Sequence, residues 1–180
     1  KLPIEGVAPL LCAGITTYSP LRHWKIGEEH NVAVVGLGGL GHMAVKFAAS
    51  FGAEVTVLST SKSKEQDALN LGADHFALSS NPETMKKLKG HFDFILNTAS
   101  AQHDYNQYLD LLTVDGTMVV VGVPPKPSVV NAFSLIAKRR SLAGSLIGGI
   151  KETQEMLDYC AEHNIVSDLE VIKASGINES

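Results

Sequence analysis

Short apolar runs, several of them rich in β-branched residues, alternate with helix-forming segments along most of this chain. The runs have the length of buried strands, and the segments between them are long enough for helical crossovers. This alternation predicts an α/β fold, a doubly wound six-stranded parallel sheet with helices on both faces. The predicted strands are residues 31–35, 54–58, a short stretch within 71–78, 92–97, 117–123 and 141–147. A further strand is expected at residues 169–174.

The first predicted strand breaks directly into a glycine-rich turn that is followed by a helix. Gly36, Gly38 and Gly41 fit the G-x-G-x-x-G pattern, in which the glycines make the turn, admit a pyrophosphate and let helix and strand pack closely. Such a turn also occurs in ordinary loops, but the strand before it and the helix after it favour a phosphate site at the helix N-terminus. The candidate residues are Gly36, Leu37, Gly38, Gly39, Leu40 and Gly41.

The second predicted strand ends in hydroxyl and lysine side chains. A NAD-binding unit places an acidic residue here to hold the ribose 2′-hydroxyl, and residues 59–64 contain none. Small hydroxyl groups can donate to a 2′-phosphate and a lysine can neutralise it, which favours NADP(H). Ser61 or Ser63 could also serve simply as the N-cap of the next helix. The candidate phosphate residues are Ser59, Thr60, Ser61 and Lys64.

Other candidate residues also stand at the ends of predicted strands. In a doubly wound sheet the ligand lies beyond the carboxyl ends of the strands, at the point where the strand order reverses. Thr98, Gly122 and Gly144 hold such positions. We therefore expect them to line one crevice with the glycine turn and the hydroxyl residues.

Composition and charge exclude several classes of protein. The chain has 180 residues, a net charge of −4 and 15 dispersed Lys and Arg residues, which argues against nucleic-acid binding. Its one basic run besides a lysine pair, residues 138–140, is interpreted as a solvated helix C-terminus. No apolar run is long enough for a membrane span, and the first residues do not form a signal peptide. Cys12 and Cys160 lack C-x-x-C spacing, so neither a disulfide framework nor a self-contained zinc finger is expected. A chain without a disulfide framework is expected in the cytoplasm.

Several longer segments carry a more specific signal than the glycine turn alone. They are PLLCAGITTY at residues 9–18, VGLGGLGHMAVK at 35–46, LGAD at 71–74, GSLIGG at 144–149 and CAEHNI at 160–165. In this order, which spans almost the whole chain, they resemble the zinc-dependent medium-chain alcohol dehydrogenases. The resemblance is greatest to the cinnamyl alcohol dehydrogenase branch.

The resemblance implies that residues 1–180 are the NADP-binding, Rossmann-type domain of a larger two-domain enzyme, whose catalytic zinc domain lies outside this chain. It implies hydride transfer between NADP(H) and a small aldehyde or primary alcohol, with Zn²⁺ as Lewis acid in the full-length enzyme. Cys12 matches a ligand of that zinc, and no catalytic residue is assigned within the chain. The residues implied at the phosphate pocket are Ser59, Thr60, Ser61 and Lys64. Those implied at the nicotinamide half are Thr16, Gly144 and Ser145.

The resemblance also implies a homodimer, joined through the edge strand from Leu142 to Ile147. Two other functions stay open from the residues alone. One is a dinucleotide-binding module without catalysis of its own. The other is a zinc-free quinone reductase of the same superfamily, which shares the glycine turn but does not need Cys12.

Overall fold

One six-stranded sheet forms the centre of the computed structural model, which describes residues 2–173 and residue 175. Its strands are β1 (Asn31–Val35), β2 (Glu54–Ser59), β3 (His75–Leu78), β4 (Phe92–Asn97), β5 (Leu112–Val120) and β6 (Ser141–Gly144). Their order is β3-β2-β1-β4-β5-β6, and every neighbouring pair is parallel. The predicted doubly wound α/β fold is therefore confirmed, and the winding reverses between β1 and β4.

Helices provide the crossovers that parallel strands require. The described α-helices are α1 (Ile4–Val7), α2 (Ala13–His23), α3 (Gly39–Ser50), α4 (Glu65–Asn70), α5 (Pro82–Lys87), α6 (Tyr105–Leu109), α7 (Ala132–Ile136) and α8 (Ile150–His163). Short 3₁₀ turns at Ala8–Leu11 and Lys62–Lys64 precede α2 and α4. Within the part of the chain that the structure describes, no helix is long and apolar enough to cross a lipid bilayer.

Strand side chains point alternately into two apolar layers. Val32 and Val34 of β1 pack in the layer that contains the buried side chains of α2, α3 and α8. Ala33 and Val35 pack on the opposite face, with buried residues of α5 and α6. Because β1 is covered on both faces, its sequence is a continuous apolar run instead of an alternating one. This burial fixes the strand beneath the glycine turn.

Strand β5 begins five positions before the predicted residue 117, because the residues predicted as a turn lie inside it. Asp115 has a φ of 65°, and the β4–β5 register shifts between Phe92 and Phe94. Asp115 and Gly116 therefore form a bulge within β5 instead of a turn before it, and pairing with β4 continues on both sides of the bulge. The strand ends at Val120 instead of residue 123.

The carboxyl-terminal strands are shorter than predicted. Strand β6 ends at Gly144 and does not reach Ile147, whose φ of 44° turns the chain away from the sheet. The strand expected at 169–174 is wrong for residues 169–173, which form no strand, and Ala174 lies outside the described residues. In α7, by contrast, the Asn131 side chain accepts a hydrogen bond from the Phe133 N–H at 3.0 Å, as an N-cap does.

The basic run at 138–140 is not a uniformly solvated face, so that interpretation is wrong for Arg140. Its side chain is only 5% exposed and donates to the carbonyl oxygens of Asp110, Leu112 and Ser134 at 2.9–3.2 Å. Arg139 is 81% exposed and pairs with Asp115. Arg140 therefore joins α7 to the segment between α6 and β5.

Candidate functional site

A cleft of about 650 Å³ opens at the carboxyl ends of β1, β2 and β4. These strands are neighbours in the sheet, so the turns that follow them share one opening. The predicted residues that line the cleft are Gly36, Leu37, Gly38, Gly39, Leu40, Gly41, Ser59, Thr60, Ser61, Lys64 and Thr98. The structure thus brings the glycine turn and the hydroxyl residues together.

The three motif glycines meet different physical demands. Gly36 has a φ of 89°, a backbone conformation that side chains other than hydrogen rarely adopt. A Cβ on Gly41 would overlap the Gly36 carbonyl oxygen and lie 3.0 Å from the Gly36 carbonyl carbon. A Cβ on Gly38 or Gly39 would meet nothing within 4 Å. Gly36 and Gly41 therefore close the turn, whereas Gly38 and Gly39 leave open space beside the backbone.

The amino end of α3 has unpaired backbone donors. Gly38 is its N-cap and supplies no side chain to accept from the first N–H groups of this 12-residue helix. Such donors and the positive end of the helix dipole favour an anion. The open space at Gly38 and Gly39 and these N–H groups together fit a pyrophosphate.

Thr98 and Gly122 hold the backbone at the ends of β4 and β5 in place beside the cleft. The Thr98 hydroxyl donates to the carbonyl oxygens of Val35 at 2.8 Å and Gly36 at 3.3 Å, which ties the end of β4 to the glycine turn. A Cβ on Gly122 would lie 2.5 Å from the Ala99 carbonyl oxygen. Gly122 does not line the cleft; its bare Cα lets the backbone after β5 approach the turn after β4.

The hydroxyl residues after β2 do not cap the following helix through their side chains. Neither Ser61, the N-cap of the 3₁₀ turn, nor Lys64, the N-cap of α4, makes a side-chain capping hydrogen bond. Instead, the Ser61 hydroxyl lies 2.8 Å from that of Ser63, and the Ser59 hydroxyl accepts from the Ser61 N–H at 3.2 Å. The capping alternative for Ser61 and Ser63 is therefore wrong.

Comparison with known proteins identifies the family. Residues 39–162 match the family described as zinc-binding dehydrogenase. The chain belongs to this family. It is 58% identical over 180 residues to NADP-dependent alcohol dehydrogenase C 1 of Mycolicibacterium smegmatis. The alignment covers all of this chain and 52% of that protein. The chain thus spans about half the length of the curated relatives it matches.

Solved structures of cinnamyl alcohol dehydrogenases share the fold of this zinc-binding dehydrogenase chain. The enzyme from Sorghum bicolor matches with a TM-score of 0.96 and 44% identity, over 99% of this chain and 51% of that one. The enzyme from Helicobacter pylori, solved in complex with NADP(H), matches with a TM-score of 0.90 and 46% identity over the same shares. The resemblance to zinc-dependent medium-chain alcohol dehydrogenases is confirmed.

The remaining predicted residues of this zinc-binding dehydrogenase lie outside the cleft lining. Thr16 is buried within α2. Gly144 ends the edge strand β6, and the Ser145 N–H continues the pairing by donating to Val120 O at 3.2 Å. Cys12 is exposed at the break between the 3₁₀ turn and α2.

A zinc ion does not fit the chain by itself. Over residues 2–173 and 175, no three side chains of His, Cys, Asp or Glu come together as metal ligands. Structural and catalytic zinc sites use three or four protein ligands. Cys12 alone therefore makes no zinc site in this part of the molecule.

One wall of the cleft, formed by residues at the end of β4 and after it, was not predicted from the sequence. Asn97 is fully buried at the end of β4, and His103 and Tyr108 line the cleft beside it. Burial raises the pKa of the Tyr108 phenol, and a hydrogen bond with Ser79 opposes the rise only partly. The available signal was Asn97 itself, an amide that directly follows the apolar run at 94–96.

Proposed function

We propose that this chain is the NADP(H)-binding domain of a larger zinc-dependent alcohol dehydrogenase that interconverts aldehydes and primary alcohols. The observation that carries the proposal is the set of hydroxyl groups and Lys64 beside the glycine turn, in one cleft and without an acidic side chain in its lining. The Mycolicibacterium smegmatis relative is named NADP-dependent, and the Helicobacter pylori structure contains NADP(H). Both support the same cofactor here.

In this proposal each part of the cleft binds a different part of the dinucleotide. The backbone N–H groups at the start of α3 bind the pyrophosphate in the open space at Gly38 and Gly39. The hydroxyl groups of Ser59, Thr60 and Ser61 donate to the 2′-phosphate. Among the described residues, the Lys64 ammonium group has only a long, exposed pairing of 3.8 Å with Asp67, so it is available to that phosphate.

The proposed chemistry needs few groups from this chain. When bound, NADPH supplies the hydride that reduces the aldehyde carbonyl carbon, and the carbonyl oxygen takes up a proton to give the alcohol. The chain's contribution is to hold the cofactor at the carboxyl edge of the sheet. Thr16, Gly144 and Ser145 are proposed to hold the nicotinamide half.

Cys12 is proposed as a zinc ligand of the full-length enzyme. The support is its exposure, which leaves the thiol accessible to ligands from outside the described residues. No step of the reaction is assigned to zinc on this chain, because its own residues do not assemble the site. Cys12 and Cys160 are both free thiols, which supports a cytoplasmic location in this proposal.

The exposed edge of the sheet supports the proposed homodimer. Strand β6 ends the sheet, and large apolar side chains on α7 before it and in the segment after it are exposed: Phe133 by 69%, Ile136 by 72% and Leu146 by 85%. An open apolar edge invites pairing with a second copy, which extends the sheet across a two-fold axis.

Light scattering of the full-length protein is expected to give twice the mass of one chain, and Leu146→Asp should shift it towards the monomer. The reason is that the new carboxylate would be desolvated at the shared edge. Leu69→Asp, on α4 beside the opposite edge of the sheet, is the matched control and should leave the mass unchanged. A monomeric wild-type protein at high concentration would exclude the homodimer.

Replacing Ser59 with Asp tests the proposed cofactor. We expect NADPH affinity to fall by about tenfold or more, because the carboxylate repels the 2′-phosphate at close range. NADH affinity should stay the same or improve, since the carboxylate can accept from the free ribose hydroxyls. Calorimetric titration of the full-length protein with each nucleotide measures both effects.

The control for this substitution is Ser80→Asp. Ser80 is exposed after the neighbouring strand β3 and does not line the dinucleotide cleft, so the same added charge should change neither affinity appreciably. Unchanged NADPH binding in Ser59→Asp would reject the phosphate pocket. Wild-type protein that binds NADH more tightly than NADPH would reject NADP(H) as the cofactor.

A further inference from the structure

The wall of the cleft after β4 is held by a buried amide and a histidine. Asn97 is fully buried, and its Oδ1 accepts a hydrogen bond from the Ala99 N–H at 3.3 Å. Its Nδ2 lies 2.9 Å from His103 Nε2, and His103 Nδ1 lies 2.7 Å from the Ala101 carbonyl oxygen. These bonds connect the end of β4 to both ends of the loop at 99–103, and all five residues of this loop line the cleft.

The hydrogen-bond partners in this network determine which nitrogen atoms of Asn97 and His103 carry protons. Because Asn97 Oδ1 accepts from a backbone N–H, the other atom of the amide must be its donating Nδ2. His103 Nε2 must then be an unprotonated acceptor, and His103 Nδ1 carries the proton that it donates to Ala101. The network therefore requires a neutral imidazole in one tautomer.

Protonation of His103 removes one of these bonds. An imidazolium carries a proton on both nitrogens, so Nε2–H would face the Asn97 N–H, and two donors cannot bond. The Asn97 amide is fully buried, and Nδ2 has no other bond among those that the structure describes. A buried donor without a partner is unfavourable, so the His103 side chain must move away from Asn97, and the loop loses this bond to the end of β4.

We propose that neutral His103 is a positioning residue for the dinucleotide: it holds the loop at 99–103 against the cleft through Asn97, and its protonation releases the loop and weakens binding. The inference rests on the proposed NADP(H) site and adds a residue to it. Because the bond to Asn97 needs an unprotonated Nε2, binding is strongest while the imidazole is neutral and weakens on acidification.

Among residues 2–173 and 175, no carboxylate forms an ion pair with His103. The groups packed against His103 are the rings of Tyr105 and Tyr108 from α6, with centroids 5.1 and 5.4 Å away. Asp104, next in the chain, accepts from the N–H and side-chain amide of Asn106. Lys64, which lines the same cleft, carries a positive charge. Protonation is therefore not offset by an ion pair in the described part of the molecule.

NADPH titrations of full-length wild-type, His103→Gln and His103→Leu proteins between about pH 5.5 and pH 8 test the inference. Gln keeps an acceptor but does not titrate, so it should bind as the wild type does at the upper pH and lose about tenfold less affinity on acidification. Leu has no acceptor and should bind weakly throughout. The 2′-phosphate also changes charge at about pH 6, but this contribution to the pH dependence is the same in all variants.

His91→Gln is the matched control. His91 is exposed at the opposite end of β4, so its removal should leave the wild-type pH profile unchanged. Equal acid losses in wild type and His103→Gln would overturn the inference. Wild-type protein that binds no NADPH even at the upper pH would overturn the proposed function instead.

A second measurement needs no nucleotide. Amide hydrogen exchange in the loop at 99–103 of the unliganded wild type should show falling protection on acidification, after correction for the intrinsic rate. His103→Gln should keep its protection. The same profile in both proteins would overturn the inference whatever the NADPH titrations show, which separates its failure from that of the proposed function.

Discussion

Gly41→Ala is expected to lose about a hundredfold or more in NADPH affinity and to unfold at a lower urea concentration than the wild type. The new methyl group would overlap the Gly36 carbonyl oxygen, which belongs to backbone and cannot rotate away. Either α3 moves off the sheet or the turn changes shape, and both displace the N–H groups proposed to bind the pyrophosphate. Overpacking of this kind costs about 1–3 kcal/mol.

Gly39→Ala is the control that distinguishes the effect of the crowded contact at Gly41 from the effect of replacing any glycine of the turn. Its methyl group would meet nothing within 4 Å, so the free energy of unfolding should stay within about 0.5 kcal/mol of the wild-type value. Urea unfolding of the two variants measures the difference in stability. If Gly41→Ala were as stable as Gly39→Ala, the close packing of α3 on the end of β1 would be wrong.

The parts of the site that the sequence predicts are those determined locally. The glycine turn follows a strand with β-branched residues that is buried on both faces, and its three motif glycines are specified within six residues. Ser59 ends β2, and the other hydroxyl residues and Lys64 come within five residues after it. Because parallel strands align their carboxyl ends, knowing the fold was enough to place both groups in one cleft.

The wall after β4 could not be predicted in the same way. The role of His103 depends on a loop that folds back so that its imidazole reaches Asn97, six positions earlier. Nothing in the local pattern distinguishes this histidine from the exposed His91 at the other end of the strand. The predicted start of β5 was wrong for a similar reason, since pairing with β4 extends the strand through the Asp115–Gly116 turn signal.

Arg139 and Arg140 are the clearest case of a tertiary contact that sequence does not reveal. The two residues have the same chemistry and adjacent positions, yet one is exposed and the other is buried. Arg140 points inward because the carbonyl oxygens of Asp110, Leu112 and Ser134 converge on its guanidinium. A planar group with five donors can serve all three, and the Asp110 carboxylate lies 3.5 Å away.

Arg140→Ala is therefore expected to lower the free energy of unfolding by about 3 kcal/mol or more, because three carbonyl oxygens lose a charged donor. Arg139→Ala removes the same side chain from an exposed pair with Asp115 and should cause no measurable loss. Urea unfolding of both variants gives the comparison. Arg140→Lys should recover only part of the loss, since an ammonium group lacks the planar fork. Equal stabilities of the two alanine variants would show that Arg140 does not fasten α7 to the segment before β5, and that the edge of the sheet is held by apolar packing alone.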